Sequence, residues 1–150
     1  FSIKGKQTVD EIHKKLGHIM WEYVGMGRTE EGLKTALKLL KDIRKEFETN
    51  LFIPGSTEGV NIELEKALRL NDFITMGELI AYDALNRNES CGGHFREEYQ
   101  TEEGEAKRDD ENYFYVSCWE YQGSDDVAPV LYKEPLVYEA IKVQTRNYKS

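Results

Sequence analysis

Apolar residues recur at helical spacing through the first part of the chain. The first set is Val9, Ile12, Leu16, Ile19, Met20, Tyr23 and Val24. Steps of three and four residues place these side chains on one face of a helix. We expect that helix to begin at Thr8, whose side chain can cap it, with Glu11 completing a capping box. Gly25 and Gly27 are expected to end it in left-handed backbone conformations.

A second apolar stripe follows Thr29, which is the next candidate cap. The stripe comprises Leu33, Ala36, Leu37, Leu40, Ile43 and Phe47, and the outer face carries Lys34, Lys38, Lys41 and Lys45. Because the link between the two helices is short and rich in glycine, we expect them to be antiparallel neighbours. The segment from Asn50 to Gly59, which contains Pro54 and Gly55, is predicted to be a loop.

A third helical segment, from about Asn61 to Asn86, is apolar on nearly every side between positions 68 and 85. A helix with this pattern is expected to be buried nearly all round. Two partner helices cannot cover so much surface. Either a partner outside this chain or the folded-back C-terminal strands should cover the remainder, and the pattern does not choose between them.

The C-terminal part is typical of strands. Aromatic residues and valines alternate from Tyr113 to Tyr121, and an extended pattern resumes from Val127 to Tyr138. Between them, positions 123–126 have the composition of a turn. Pro129 and Pro135 restrict the second strand to a sheet edge. The sequence therefore predicts a mainly α fold with a small β tail: a helical bundle over 1–88, a loop with an acidic insertion over 89–112, and an antiparallel hairpin or sheet over 113–150 that packs on the bundle.

Composition narrows the function classes. A formal net charge of −8 argues against nucleic acid as a partner. Cys91 and Cys118 are too few for a disulfide framework, and we expect both to be buried as small apolar residues. His13 and His18 are five positions apart and do not share a helix face, so no metal site is predicted. No catalytic or cofactor-binding residue is predicted either, and the start at Phe1 suggests a piece of a longer polypeptide.

The segment from Glu89 to Tyr99 combines both charge signs, an imidazole and two adjacent glycines. Gly92 and Gly93 allow the backbone to approach another surface closely. His94 and Arg96 beside carboxylates suit hydrogen-bonded docking. On physical grounds this segment is predicted to be an interface loop, and catalysis is the minority interpretation.

The same segment resembles a pattern of succinate dehydrogenase and fumarate reductase flavoprotein subunits, E-S-R-G-x-H-x-R-x-D followed by R-D-D-E. The matching residues are Glu89, Ser90, Gly92, His94, Arg96, Arg108, Asp109, Asp110 and Glu111. Upstream, Leu16-Gly17-x-x-Met20 and Gly25-x-x-Arg28-x-x-x-Gly32-Leu33 are similar to that family's helix–turn–helix stretch. Cys91 stands where the family usually has Arg, and Glu98 stands where Asp is usual.

The resemblance implies the C-terminal helical scaffold domain of an FAD-containing subunit that oxidises succinate to fumarate or performs the reverse reaction. Its fold would be a three-helix, spectrin-repeat-like antiparallel bundle followed by the β tail. FAD and the substrate-binding residues would belong to other domains of the parent subunit, so this segment would bind no cofactor and would be inactive alone. Nine residues are expected at the domain interface: Glu89, Ser90, Gly92, Gly93, His94, Arg96, Arg108, Asp109 and Asp110.

The implied partners are the FAD domain of the same chain, an iron–sulfur subunit and a membrane cytochrome b anchor. The complex would lie on the cytoplasmic side of the inner membrane, and the segment itself would be soluble. The related L-aspartate oxidases and adenylylsulfate reductases have similar C-terminal domains. About forty residues beyond Asp110 favour the succinate/fumarate branch. A stand-alone acidic helical interaction module is the competing hypothesis from another class.

Overall fold

The computed structural model describes residues 1–124 and 127–144. The helices are α1 (Val9–Val24), α2 (Glu30–Asn50), α3 (Ile62–Asn86) and α4 (Asp110–Tyr113). The strands are β1 (Gln7–Thr8), β2 (Leu51–Phe52), β3 (Tyr115–Glu120) and β4 (Val130–Pro135). The predicted fold class, a three-helix bundle followed by a small antiparallel β tail, is confirmed. The turn residues Asp125 and Asp126 and the end of the β tail, 145–150, lie outside the described residues.

Side chains cap the three long helices at their first turns. The Glu11 amide donates to Thr8 Oγ1 over 3.3 Å, and the Thr8 amide donates to Glu11 Oε2 over 2.8 Å, which forms the predicted capping box. Thr29 Oγ1 accepts from the Gly32 amide at 3.0 Å and caps α2, also as predicted. Asn61 does the same for α3. Each of these interactions joins residues that are three positions apart, so a local sequence pattern is sufficient to indicate them.

The core lies between the three long helices and follows the predicted stripes. Its buried apolar residues are Val9, Ile12, Leu16, Ile19, Val24, Leu33, Ala36, Leu40, Ile43, Leu51, Ala67, Leu70, Ile74, Ala81 and Ala84. Gly77 lets α3 approach the other two helices, since a Cβ there would lie 3.1 Å from Met20 Sδ and 3.7 Å from Leu40 Cδ2. The bundle is therefore close-packed where α3 meets α1 and α2.

The glycines between α1 and α2 act differently from the expectation. Gly25 has φ −69°, and neither Gly25 nor Gly27 adopts the left-handed conformation, so that prediction is wrong. Gly25 instead excludes a side chain by space, because a Cβ there would lie 2.7 Å from the Trp21 carbonyl oxygen. A Cβ on Gly27 would lie 2.9 Å from Glu97 Oε1, the end of an exposed side chain that can move aside. Close approach, not backbone conformation, therefore requires glycine at position 25.

The apolar surface of α3 is only partly covered within this chain, so the alternative that the C-terminal strands cover the remainder is wrong. Leu68, Phe73, Met76 and Ile80 are exposed on its outer side. The C-terminal hairpin contacts the end of the helix: Trp119 Nε1 donates to Asp83 Oδ1 over 2.7 Å. The Trp119 and Tyr82 rings meet edge to face with centroids 5.1 Å apart. The hairpin thus covers a small part of the apolar surface and leaves a face open.

A short parallel pair joins the chain start to the end of α2. In this pair Gln7 is opposite Leu51 and Thr8 is opposite Phe52. The Gly5 amide donates to the Leu51 carbonyl over 3.0 Å, and a Cβ on Gly5 would overlap the Asn50 carbonyl. The loop that was predicted to start at Asn50 therefore starts after Phe52, because Asn50 belongs to α2 and the next two residues form β2. Strands of two residues carry no periodicity for a sequence pattern to show.

The hairpin pairs Tyr115 with Pro135 and Glu120 with Val130 in antiparallel register. Burial alternates along β3, so that one face is half-buried and the other exposed. Cys118 lies on the exposed face, and Cys91 is exposed in a turn, so the prediction that both are buried is wrong. Within residues 1–124 and 127–144, no helix is long and apolar enough to cross a membrane.

Candidate functional site

The loop that follows α3 turns back through two glycines. The Cys91 amide donates to the His94 carbonyl over 2.8 Å, and the His94 amide donates to the Cys91 carbonyl over 3.0 Å. Gly92 has φ +58°, a conformation that favours glycine. A Cβ on Gly92 or Gly93 would meet nothing within 4 Å. We call residues 91–94 the glycine turn; its two glycines are exposed to solvent.

His94 links the glycine turn to two helix ends. Its Nε2 lies 2.9 Å from the Arg87 carbonyl oxygen and its Nδ1 lies 3.0 Å from Arg28 Nη1. A guanidinium only donates and a carbonyl only accepts, so the neutral imidazole with its proton on Nε2 satisfies both contacts. Burial lowers the pKa of His94 below its ordinary value of 6.5, and the positive charges of Arg28, Arg96 and Arg87 act in the same direction.

Arg28 ties the end of α1 to the loop. Its Nε donates to the carbonyl oxygens of Val24 at 3.1 Å and Gly25 at 3.0 Å. Its backbone amide donates to the Phe95 carbonyl over 3.0 Å, and its own carbonyl accepts from the Glu97 amide at 2.8 Å. Burial lowers the pKa of Arg28, while the carboxylate of Asp83 opposes the shift. The cation complements the free carbonyl groups at the helix C-terminus.

Arg96 and Glu98 connect α3 with α2. The Arg96 side chain is fully buried, and its Nη1 donates to the carbonyl oxygens of Ala84 at 3.0 Å and Leu85 at 3.3 Å. Its Nε donates to Glu98 Oε2 over 3.0 Å, while Glu98 Oε1 accepts from the Glu30 amide at 2.6 Å. A cation therefore sits at the C-terminus of α3 and an anion at the N-terminus of α2, which suits both helix dipoles.

Ser90 holds the two sides of the loop together. It is fully buried, and its Oγ accepts from the Arg96 amide at 2.8 Å and donates to the Arg96 carbonyl over 3.0 Å. Its backbone amide donates to the Lys107 carbonyl over 2.9 Å. One hydroxyl group thus satisfies both backbone groups of Arg96 and fixes the position of its side chain.

Glu89 and Arg87 join α3 to the start of the β tail. The Glu89 side chain is buried; its Oε1 accepts from Arg87 Nη1 at 2.8 Å and its Oε2 accepts from the Asp109 amide at 2.8 Å. Arg87 also donates to the carbonyl oxygens of Tyr113 at 3.2 Å and Tyr115 at 2.9 Å, and its guanidinium stacks on both rings. This ion pair fixes where the β tail leaves the bundle.

Arg108, Asp109 and Asp110 lie at the outer side of this network. Arg108 donates to Asp110 Oδ1 from Nε at 3.0 Å and from Nη2 at 2.6 Å, which raises the pKa of Arg108. Its Nη1 donates to the Gln144 carbonyl over 3.2 Å. Asp109 Oδ1 accepts from the Asn112 amide and caps the short helix α4. These residues order the C-terminal part of the loop.

The structure brings the nine predicted interface residues into one region, but they differ in their exposure to solvent. Glu89, Ser90 and Arg96 are buried, and their polar atoms are used within the chain. The exposed members are Gly92, Gly93 and Asp110, while His94, Arg108 and Asp109 are half-buried. Their contact with another domain stays a prediction.

Sequence reasoning missed the roles of Arg28, Arg87 and Glu98. Cations within a few residues of two predicted helix ends were the available signal for the arginines. In the described part of the chain, every buried side-chain nitrogen or oxygen has a hydrogen-bond partner. Among the same residues, no group of three or more His, Cys, Asp and Glu side chains is placed to hold a metal ion. The network is built to fix helix ends.

The three long helices, the polar loop that links their ends and the attached hairpin define this chain as a helical-bundle domain with a small β tail. A family profile described as the C-terminal part of fumarate reductase flavoproteins matches residues 13–148. The chain belongs to that family. The resemblance seen in the loop motif is therefore confirmed.

Curated relatives come from several branches of flavoproteins. An FAD-dependent oxidoreductase of Methanocaldococcus jannaschii is 33% identical over 65% of this chain and 17% of its own length. The chloroplast L-aspartate oxidase 2-b of Nicotiana tabacum is 36% identical over 59% of this chain and 13% of its own. A fumarate reductase flavoprotein subunit of Helicobacter pylori is 30% identical over 89% of this chain and 18% of its own length. The chain spans less than a fifth of the length of these relatives.

Solved structures show the same fold. A chain of a quinol–fumarate reductase with menaquinol molecules superposes with a TM-score of 0.76 and 23% identity, over 94% of this chain and 23% of that one. A chain of an adenosine-5-phosphosulfate reductase in complex with sulfite superposes with a TM-score of 0.71 and 22% identity, over 92% of this chain and 20% of that one. At these identities the likeness concerns the fold alone.

Proposed function

We propose that this chain is the C-terminal scaffold domain of an FAD-containing subunit that interconverts succinate and fumarate. Family membership supports a flavoprotein parent. The extent of the alignments supports the branch: it reaches 89% of the chain with the Helicobacter fumarate reductase and 59% with the tobacco L-aspartate oxidase. In this proposal the domain supplies architecture, and the FAD domain of the same polypeptide supplies cofactor and catalytic residues.

The closed polar network supports the scaffold role. It fixes the ends of α1, α2 and α3 through Arg28, Arg96 and Glu98, and holds the glycine turn outward on a rigid base. Because Gly92 and Gly93 have no side chains, the backbone of the FAD domain can approach theirs closely. The buried residues Glu89 and Arg96 would then act indirectly, by positioning the turn.

The assembly follows from the same proposal. The parent subunit would carry FAD and pass electrons to an iron–sulfur subunit and a membrane cytochrome b anchor, on the cytoplasmic side of the inner membrane. The Helicobacter relative, which is named as the flavoprotein subunit of a fumarate reductase, supports a parent with more than one subunit. The L-aspartate oxidase branch is the second candidate, favoured by the 36% identity to the tobacco enzyme. The adenylylsulfate reductase branch and a stand-alone acidic interaction module have weaker support.

The branch is tested on the full-length protein that contains this sequence. Purified protein should contain bound FAD, and should oxidise succinate or reduce fumarate with an artificial electron carrier. L-aspartate and adenylylsulfate, assayed in the same way, should give no turnover. Turnover of either would transfer the chain to that branch, and a full-length protein without flavin would overturn the proposal.

The docking role of the glycine turn is tested with Gly93→Leu in the same full-length protein. Gly93 has open space around it and no left-handed φ, so the substitution leaves the bundle intact. We expect it to lower the amount of FAD retained per subunit. Gly59→Leu is the matched control, since a Cβ on Gly59 would also meet nothing within 4 Å and this residue lies away from the loop. Equal FAD retention in both variants would exclude docking through the turn. A fully FAD-loaded Gly93→Leu subunit without turnover would assign the turn a catalytic role.

A further inference from the structure

The outer face of α2 carries a line of exposed lysines. Lys34, Lys38, Lys41 and Lys45 follow one another in steps of four, three and four residues, so they share one side of the helix. Lys34 forms an ion pair with Glu30, one turn earlier. In the part of the chain that the structure describes, the other three form no ion pair with any carboxylate. We call Lys38, Lys41 and Lys45 the lysine row.

The lysine row keeps its charge in a chain that has more acids than bases. The sequence contains 28 acidic and 20 basic residues. Cations on the other helices find partners among these acids, for example Lys15 with Glu46 at 2.7 Å. Asp42 is exposed beside the lysine row and forms no ion pair with it. A row of cations that the chain itself leaves uncompensated can attract a separate anionic surface.

The acidic insertion forms a tight turn rather than an open loop. Residues 100–106, which we call the acidic turn, are closed where the Thr101 amide donates to the Glu105 carbonyl over 2.8 Å. Glu102 and Glu103 lie at the tip and are exposed. The turn therefore presents two neighbouring carboxylates to solvent.

The acidic turn and the lysine row share one side of the molecule. Glu98, two residues before the turn, accepts from the Glu30 amide at 2.6 Å and so lies at the start of α2. A shallow groove on this side is lined by Glu30, Glu31, Lys34, Thr35, Lys38 and Glu98. The outer side of α2 is thus acidic where the helix begins and basic further along.

We propose that two copies of this protein associate through the outer side of α2, with the two helices antiparallel and the acidic turn of each copy against the lysine row of the other. A face that is acidic at one end and basic at the other is complementary to itself under two-fold rotation. This inference goes beyond the proposed function and does not depend on which reaction the parent protein catalyses.

The spacing along α2 fits such a two-fold axis between positions 34 and 35. Glu31 of one copy is then opposite Lys38 of the other, because both lie the same number of residues from the axis. At 1.5 Å per residue, Lys41 and Lys45 lie about 10 and 16 Å from the axis, whereas the partner helix begins about 7 Å from it. The two lysines therefore reach past the start of the partner helix, towards its acidic turn.

Charge favours a second copy over a lipid surface or a nucleic acid. Those surfaces are anionic throughout and would repel the acidic turn as well as attract the lysine row, and the net charge of −8 adds to the repulsion. A second copy places its carboxylates only opposite the lysines. At physiological ionic strength the Debye length is about 8 Å, so the net charges of two copies are largely screened from each other. Exposed ion pairs are individually weak, and we expect the association to be reversible and sensitive to salt.

Sedimentation velocity of the full-length protein that contains this sequence tests the proposal. We expect a dimer at about 0.05 M NaCl and dissociation at about 0.5 M, where the Debye length is roughly 4 Å. Lys41→Glu with Lys45→Glu should weaken the association at least about tenfold, and so should Glu102→Lys with Glu103→Lys. An equimolar mixture of the two double variants should associate like the unmodified protein, because opposite charges meet again at both contacts.

The matched control is Lys14→Glu with Arg69→Glu, which changes the net charge as much as the lysine-row variant does. Both residues are exposed and lie on α1 and α3. Association of this variant should equal that of the unmodified protein. A monomer at the lower salt concentration would overturn the proposal, even if the lysine row bound anionic vesicles. A dimer that neither double variant weakens would do the same, and a mixture that stays dissociated would exclude pairing of the acidic turn with the lysine row.

Discussion

At the scale of single residues, the buried side chain of Arg96 connects the end of α3 with Glu98. Arg96→Met keeps most of the buried volume but removes the donors to the Ala84 and Leu85 carbonyl groups and to Glu98. We expect a loss of roughly 2–3 kcal/mol in the free energy of unfolding, because buried acceptors lose their partner. Denaturant unfolding of the chain measures the loss.

Arg108→Met is the matched control for this prediction. Arg108 also pairs with an acidic residue two positions on, which is Asp110. Asp110 and most of the residues near it in the chain are exposed. A surface ion pair of this type contributes about 0–1 kcal/mol. A loss as small for Arg96→Met as for Arg108→Met would show that Arg96 does not hold the helix ends together.

His94 makes the stability of the chain dependent on pH. Its pKa is lowered by burial in the folded state, so below about 6.5 the unfolded chain binds a proton that the folded chain does not. The stabilisation is therefore complete above this pH and is lost progressively as the pH falls below it. We expect the free energy of unfolding to decrease between about pH 7 and pH 5.5, with part of that decrease absent in His94→Gln.

The exposed residue His18 serves as the control for the pH effect. His18→Gln should keep the same decrease as the unmodified chain over the same pH range. If His94→Gln keeps it as well, the buried imidazole is not its source.

Sequence identifies the residues of the loop but not their partners. The motif singles out Glu89, Ser90 and Arg96, and they do belong to one network. What they contact depends on where α1, α2 and α3 end in space, and no local pattern contains that information. For this reason Glu98 stands out in the sequence only as a departure from a family pattern, although it binds the N-terminus of α2.

At the scale of secondary-structure elements, two helical glycines make a matched pair. Gly17 faces open space, whereas a Cβ on Gly77 would lie 3.1 Å from Met20 Sδ. We expect Gly17→Ala to stabilise the isolated chain by about 0.5–1 kcal/mol through helix propensity alone. Gly77→Ala should gain less, since Met20 has to move. Thermal or denaturant unfolding of both variants measures the difference, and a destabilising Gly17→Ala would contradict the open space around Gly17.

Elements with strong local signals can be predicted from the sequence, and others cannot. Thr8 and Thr29 mark the starts of α1 and α2, because their capping bonds are local. The pairing of β1 with β2 joins residues more than forty positions apart through two residues each, so no pattern marks it. The single turn of α4 is likewise too short to show a period.

At the scale of the whole molecule, the apolar composition of α3 indicates that much of its surface needs to be covered. It does not indicate how much of that surface stays exposed in this chain. The sequence predicts that the packed side of α3 is apolar. On that side the small residues Ala67, Gly77 and Ala81 allow close contact with the other helices. The outer residues stay exposed because the hairpin lies at the far end of α3. A hydrophobic pattern cannot distinguish a face covered within the chain from one covered by a neighbour.

The exposed apolar face of α3, formed by Phe73, Met76 and Ile80, should be detectable in the isolated chain. We expect a dye that fluoresces on apolar surfaces to bind it, and the double substitution Phe73→Ser with Met76→Gln to reduce the signal strongly. Val60→Ser should leave the signal unchanged, since that residue lies outside the face. The full-length flavoprotein should bind less dye per molecule at this face. Equal fluorescence of the isolated chain with and without the double substitution would contradict an accessible apolar face.

The coding sequence immediately upstream of Phe1 tests the central claim most directly. The account predicts an open reading frame that continues upstream into a dinucleotide-binding motif for FAD, followed by a domain with substrate-binding His and Arg residues. A start codon within a few residues of Phe1 would contradict it, because the chain would then be a stand-alone domain without a flavin-binding neighbour.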